Sequence, residues 1–248
     1  DYLRAVVRKD TNQDGSVDVI RALHQNTVQF DNDSNGVIEL QWTWRAGVLK
    51  VDTDHDGDLD YTAWMHGWHQ HWDWGMVEYH IHRFALTRIS DHDTDGIPEW
   101  KQRIIHMSNA TDWDFDHHLE QRESYTATLT WSDADEDGYE EHIFRRVRET
   151  TYLDQHAHGW SHQSESTHSV EIWRDSNHNL HAKRVVVIGL SSWDNNSDGS
   201  PDTYDHLSRT WLAVDSNQDD FLERRVFHRH YMAARDDNAD GNATFALN

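Results

Sequence analysis

The sequence predicts an all-β fold, a tandem-repeat antiparallel sheet or solenoid of about twelve units of about 21 residues each. Three observations carry that expectation. An aspartate-rich bend returns at a nearly fixed interval through the whole chain. The residues between bends alternate apolar with polar side chains, the period of a strand. No segment carries a sustained apolar stripe at helical spacing. The chain therefore reads as one continuous array over residues 1–248, since a unit this small cannot bury its apolar face without neighbours.

The bend is clearest at Asp52-Thr53-Asp54-His55-Asp56-Gly57-Asp58-Leu59-Asp60, with oxygen donors at positions 1, 3, 5 and 9 and glycine at 6. Alternate carboxylates on a tight loop converge on one point and repel. A hard cation removes that cost, and calcium takes six to eight oxygens at roughly 2.3–2.6 Å. Bends open at Asp10, Asp31, Asp52, Gln70, Asp91, Asp112, Asp133, Asp154, Asp175, Asp194, Asp215 and Asp236. The intervals are 21 residues, except 18 before Gln70 and 19 before Asp194.

Six bends are complete, with glycine in place: Asp10, Asn12, Asp14 and Asp18; Asp31, Asp33, Asn35 and Glu39; Asp52, Asp54, Asp56 and Asp60; Asp91, Asp93, Asp95 and Glu99; Asp133, Asp135, Asp137 and Glu141; Asp194, Asn196, Asp198 and Asp202. Two keep the donors but lose glycine: Asp112, Asp114, Asp116 and Glu120; and Asp215, Asn217, Asp219 and Glu223. Asp236, Asn238 and Asp240 lead to Thr244 at position 9. The Asp175 bend ends in Lys183 and is expected to bind weakly or not at all. The Gln70 unit has Trp72 and Trp74 in ligand places, keeps only Gly75 and Glu78, and reads as a lost site. One isolated bend reads equally well as a solvated Asx turn; eight full ligand sets favour multiple Ca²⁺ sites. An EF-hand is excluded, because position 12 is Arg21, Trp42, Ala63, Gln102 or Phe144 instead of a bidentate glutamate.

Between bends, Leu40, Trp42 and Trp44 alternate with Gln41 and Thr43. Segments 78–82 and 125–131 are rich in β-branched, aromatic or alternating residues. Weak turn signals at His24-Gln25-Asn26, Ala46-Gly47, His66-Gly67, Ser108-Asn109 and Gly189 split many units into loop, strand, short turn and strand. The Asp133 and Asp215 units lack that second signal, so one long strand is possible there. The bends are expected along one side or edge of the sheet. Trp131, Tyr152 and Trp173 share one offset and are expected to stack as an aromatic ladder.

Composition narrows function. Asp and Glu number 45 against 22 Lys and Arg, a formal net charge of −23, which argues against nucleic acid or anionic membrane as partners. Thirteen tryptophans argue against a disordered acidic chain. There is no cysteine, hence no disulfide framework. The longest apolar run, 185–190, is too short to span a membrane. The first residue is Asp1, which points to a processed product or fragment. Nine residues precede Asp10 and 13 run from Asp236 to the end, together close to one unit. A longer array or head-to-tail self-association is favoured over a closed ring.

The Asp-x-Asp-x-Asp-Gly-x-x-Asp/Glu bends resemble the tandem calcium repeats of the thrombospondin type 3 class and aspartate-rich repeats of bacterial surface proteins. The unit length and strand patterning are similar to the spiralling β-sheet of YD/RHS repeats. The chain departs from these families in having no cysteine and no regular Tyr-Asp signature, and it lacks the RTX glycine pattern. The resemblance implies an extracellular or cell-surface, calcium-stabilised structural or adhesive role.

Other chemistry is weaker. Asp154-His156-His158-Gly159-His162 reads as a degenerate bend or as a transition-metal variant of one. His66, His69, His71, His80, His82, His228 and His230 read as solvated. No G-x-S-x-G, P-loop or H-E-x-x-H is present, and an enzyme is not expected. Glycan acceptor tripeptides begin at Asn32, Asn109, Asn195 and Asn242, a minority reading. The leading expectation is a secreted, calcium-stiffened repeat of a filament, fibre or adhesin stalk. The alternatives are a lectin-like module gripping carbohydrate through clusters such as Trp68, Trp72 and Trp74, or a YD/RHS-like shell segment.

Overall fold

A computed structural model describes residues 2–31, 34, 36–73, 78–113, 119–154, 162–175, 177, 179–194, 202–215, 223–235 and 245–247. These residues form thirteen strands and no helix: β1 (Tyr2–Lys9), β2 (Val19–Phe30), β3 (Leu40–Val51), β4 (Tyr61–Asp73), β5 (Glu78–Ser90), β6 (Trp100–Asp112), β7 (Gln121–Ser132), β8 (His142–Leu153), β9 (His162–Arg174), β10 (Leu180–Trp193), β11 (Thr203–Val214), β12 (Arg224–Arg235) and β13 (Phe245–Leu247). They lie side by side in sequence order, every neighbouring pair antiparallel, in one open sheet that is not closed into a barrel.

Each unit is one strand of 12 to 14 residues, about 40 Å long at the usual rise, plus one bend. The short turn expected inside many of the units does not form. Asn26, Gly47, Gly67, Asn109 and Gly189 all sit within strands. Two of these glycines are packing devices. A Cβ on Gly67 would lie 2.6 Å from the carbonyl oxygen of Arg83 on the adjoining strand. A Cβ on Gly47 would lie 3.2 Å from Met65 Cε, so the missing side chain leaves that methionine its room. Small residues of this kind mark close approach as readily as a turn.

One strand per unit has a second consequence. Successive strands run in opposite directions, so successive bends fall on opposite sides. Bends after β1, β3, β5, β7, β9 and β11 line one rim; those after the even strands line the other. The expectation of a single side is corrected accordingly. The aromatic ladder fails for the same reason. Trp131 and Tyr152 lie at opposite rims, and Trp173 packs 5.6 Å from His142 instead. Tyr152 is covered by the Arg122 guanidinium at 5.7 Å.

The two faces differ. Register places Trp42, Trp44, Trp64, Trp68, Trp72 and Tyr79 on one face of β3–β5. His69, His71, His80, His82 and His106 share the opposite face of β4–β6. Among the described residues no second layer covers either face. Among the described residues the buried apolar ones are Ala63, Ala182 and Ala213. The largest fully buried side chains are Asp18, Asp52, Asp112, Asp194 and Asp215. Ordinary domains bury leucine and keep aspartate in water. This sheet does the reverse, and its buried charge is concentrated on the rims.

Candidate metal loops on the two rims

Four bends are described in full, at 10–18, 52–60, 91–99 and 133–141, all on the same rim. Their backbones repeat one design. Position 4 is left-handed in each: Gln13 at φ 65°, His55 at 65°, Thr94 at 59° and Glu136 at 61°. Ser34, in the partly described Asp31 bend, has φ 61°. Position 6 is left-handed too, at Gly15, Gly36, Gly57, Gly96 and Gly138, with φ from 90° to 105°. Glycine meets that requirement without Cβ strain, which explains its place in the pattern.

The carboxylates organise these turns. The position 1 aspartate accepts from the position 6 amide in all five bends: Gly15 to Asp10 at 3.0 Å, Gly36 to Asp31 at 2.9 Å, Gly57 to Asp52 at 2.9 Å, Gly96 to Asp91 at 3.1 Å and Gly138 to Asp133 at 2.9 Å. Position 3 accepts from the amide of position 5, as Asp93 does from Asp95 at 3.1 Å. Position 5 accepts from position 7, as Asp137 does from Tyr139 at 2.9 Å. Position 9 reaches back to position 2: Thr53 N–H donates to Asp60 at 2.9 Å, His92 to Glu99 at 2.9 Å and Ala134 to Glu141 at 2.6 Å. Thr11 and Thr53 add their hydroxyls to Asp18 and Asp60.

These donors do not use every oxygen. Asp18 Oδ1, Asp91 Oδ1, Asp133 Oδ1 and Glu141 Oε1 are buried without a hydrogen-bond partner. A buried carboxylate oxygen without a hydrogen-bond donor is expensive and calls for an explanation. Ligand atoms of Asp133, Asp135, Asp137 and Glu141 lie within 4.8 Å of one another. So do those of Asp10, Asp14 and Asp18, and of Asp52, Asp54 and Asp56. An all-oxygen donor set of this charge fits a hard divalent cation and suits calcium better than a transition metal.

Bends on one rim are stitched together. The position 9 carbonyl of one accepts the position 1 amide of the next: Asp52 N–H to Asp18 at 2.8 Å, Asp91 to Asp60 at 2.9 Å and Asp133 to Glu99 at 2.9 Å. The other rim repeats it, with Asp73 to Glu39 at 2.8 Å and Asp154 to Glu120 at 2.7 Å. Side chains cross as well. His55 Nδ1 lies 3.6 Å from Asp18 Oδ1, and His92 Nδ1 lies 3.4 Å from Asp60 Oδ2. Sequence reasoning missed both histidines, since their partners are 37 and 32 residues away in the chain.

The same stitching corrects two readings. Gln70 lies inside β4, paired with Trp42 and Ile81. Asp73 holds the place that opens the other bends, so the three missing residues are lost from the bend, not the strand. Likewise the His181 carbonyl, not a group at Lys183, accepts Asp215 N–H at 2.8 Å. Lys183 is a strand residue opposite Ile172 and Ala213.

Charge balance differs among the acids. The Thr11 hydroxyl, helped by the Thr11 and Asn12 amides and His55, outweighs burial and holds Asp18 below the usual aspartate range. Burial works against ionised Asp60, but Thr53 and His92 overcome it and the net shift is downward. The Ser16 amide and the Asn12 side chain lower Asp14. Glu136 is raised, chiefly by Asp93 of the neighbouring bend, with burial, Glu99 and Asp95 adding to it.

Among the sequence-derived ligands, Asp33, Asn35, Asp114, Asp116, Asn196, Asp198, Asn217, Asp219, Asp236, Asn238 and Asp240 lie outside the described residues. So do His156, His158, Gly159, Trp74, Asn32, Asn195 and Asn242. Asp112, Glu120, Asp194 and Asp215 are described and buried. Asn109, one of the glycan acceptors, lies within β6 opposite Glu123. No family model, curated protein or solved structure matches the chain.

Proposed function

We propose that the chain is a calcium-stabilised structural repeat protein of the extracellular space, in which one divalent ion per bend with a full ligand set, eight in all, rivets the rims of a thin sheet. The convergence of Asp133, Asp135, Asp137 and Glu141, two of them with buried unpartnered oxygens, carries the reading. Eight divalent ions carry +16 and leave −7 of the formal −23. Without them, self-repulsion acts on a sheet whose buried apolar residues, among those described, are three alanines. Metal binding is then coupled to folding. Loops of this class bind with a Kd of about 10⁻⁴–10⁻³ M, which suits extracellular calcium and not cytosol. Strands pair only with their sequence neighbours, so further units of the same kind, in a longer array or in a second copy joined head to tail, would extend the sheet into a fibre or stalk.

The experiment is chelation followed by circular dichroism. Excess EDTA is expected to abolish the β-type spectrum, and added calcium to restore it. An unchanged spectrum in EDTA would overturn the proposal.

A second reading has an observation of its own. Five tryptophans share one face of β3 and β4, and Trp42, Trp44 and Trp64 are 50%, 40% and 41% exposed. Exposed apolar patches mark interaction surfaces, and a flat row of indoles suits sugar rings. Glycan-array binding that disappears in a Trp42→Ala/Trp64→Ala variant with calcium-dependent folding intact would favour this carbohydrate-binding role.

A further inference from the structure

The unit between β4 and β5 lacks the calcium pattern, yet its rim carries a different donor set. His71 and His80 are direct cross-strand partners, so their side chains leave the same face. Their rings lie parallel, 4° apart in tilt and 4.5 Å between centroids. Glu78 is two residues from His80 and shares that face. Its Oε1 lies 2.8 Å from His71 Nε2 and 2.9 Å from His80 Nε2. The ligand atoms of all three fall within 4.8 Å of one another.

Two imidazole nitrogens crowd one carboxylate oxygen, and only one of the two contacts is a hydrogen bond. The His80 contact has hydrogen-bond geometry. His71 Nε2 does not: it is buried, close to the oxygen, and without a hydrogen-bond partner. A buried imidazole nitrogen left without a hydrogen-bond partner beside a carboxylate calls for an explanation, and a bound cation supplies one. The donors are two nitrogens and one oxygen, which selects against calcium and for zinc or its first-row neighbours. Three protein ligands with one position left for water is the common zinc arrangement outside all-protein structural sites.

We propose that His71, Glu78 and His80 form a transition-metal site, with zinc as its natural probe, that clamps β4 to β5 where no calcium bend does so. The site does not depend on the calcium reading: its ligands are separate from those of every complete bend. All three side chains are part-exposed, at 25%, 21% and 34%, so an ion reaches them from solvent without opening the sheet.

The test uses the full chain saturated with calcium, which keeps the acidic bends occupied, and zinc chloride titrated against a chromophoric chelator. One equivalent is expected to bind more tightly than any other zinc on the chain. His71→Asn and His80→Asn should each weaken that equivalent by more than the roughly 100-fold lost when only a supporting partner of a metal ligand is removed. His230→Asn, which alters the distant His206–His230 pair, should leave it unchanged. X-ray absorption on the zinc-loaded natural sequence gives a readout independent of variant folding, and imidazole nitrogen scattering from two ligands is expected. The proposal is overturned if the tight equivalent is missing, if it survives both histidine substitutions, if His230→Asn removes it equally, or if the zinc shell holds oxygen alone.

Discussion

A position 1 aspartate does two jobs at once. Its Oδ2 closes the turn through the glycine amide, while its Oδ1 accepts the position 4 amide at Asp10 and Asp52 and is buried without a hydrogen-bond partner at Asp91 and Asp133. Left-handed backbone at positions 4 and 6 makes that geometry possible. Position 4 also faces the neighbouring bend, which is where Glu136 meets Asp93. The folded pKa of Glu136 is raised above its unfolded value. The fold is therefore favoured with Glu136 protonated, and that contribution is lost as pH rises through the raised pKa. Glu136→Gln removes the charge and keeps the backbone demand, so the thermal midpoint at neutral pH should increase, most when calcium is scarce. Differential scanning calorimetry across a calcium series checks this.

Asp18 and Asp60 have the opposite sign. Their folded pKa values lie below the ordinary 3.8, so their stabilisation is present above that pH and is lost as pH falls through the folded values. Thr11→Val and Thr53→Val remove hydroxyl donors that hold those carboxylates ionised. The acid unfolding transition of the calcium-loaded chain should then move to higher pH, as followed by fluorescence of the tryptophans.

At the scale of the element, strand identity was legible and strand length was not. The alternation at Leu40–Trp44 and the repeated bends specify antiparallel β structure. Gly47, Gly67 and Gly189 suggest turns because sequence alone does not distinguish a glycine that reverses the chain from one that yields space to a neighbour. The structure separates these cases. Gly67→Ala forces a Cβ against the Arg83 carbonyl and should cost about 1–3 kcal/mol, the usual range for overpacking. Gly189 has nothing within 4 Å of the place a Cβ would take, so Gly189→Ala should be neutral or mildly stabilising. Chemical denaturation of the two variants in saturating calcium gives the comparison. The Gln70 unit shows the other limit. A marker interval reveals that three residues are missing but not whether the strand or the bend lost them. The Asp73 amide on the Glu39 carbonyl locates the loss in the bend.

At the scale of the molecule, stability is displaced from the faces to the rims. Strands pair only with their sequence neighbours, and no layer packs across them among the described residues. Backbone ladders resist separation of strands along their length, while the rims gather the carboxylates that would drive them apart. That the bends divide between two rims follows from one strand per unit, which the weak turn signals concealed. The acidic bends and the spacing of their side chains were legible in the sequence because they are local. The stitching of bends two units apart, through His55 and His92 and through the backbone, was not, because it depends on which rim each bend occupies.

Crystals grown in abundant calcium test the central claim most directly, through an anomalous difference map at long wavelength. The account predicts a peak inside each complete bend, including one among Asp133, Asp135, Asp137 and Glu141, bonded to carboxylate oxygens. Featureless density at those points in a well-resolved map, with the bends folded as described, would contradict it.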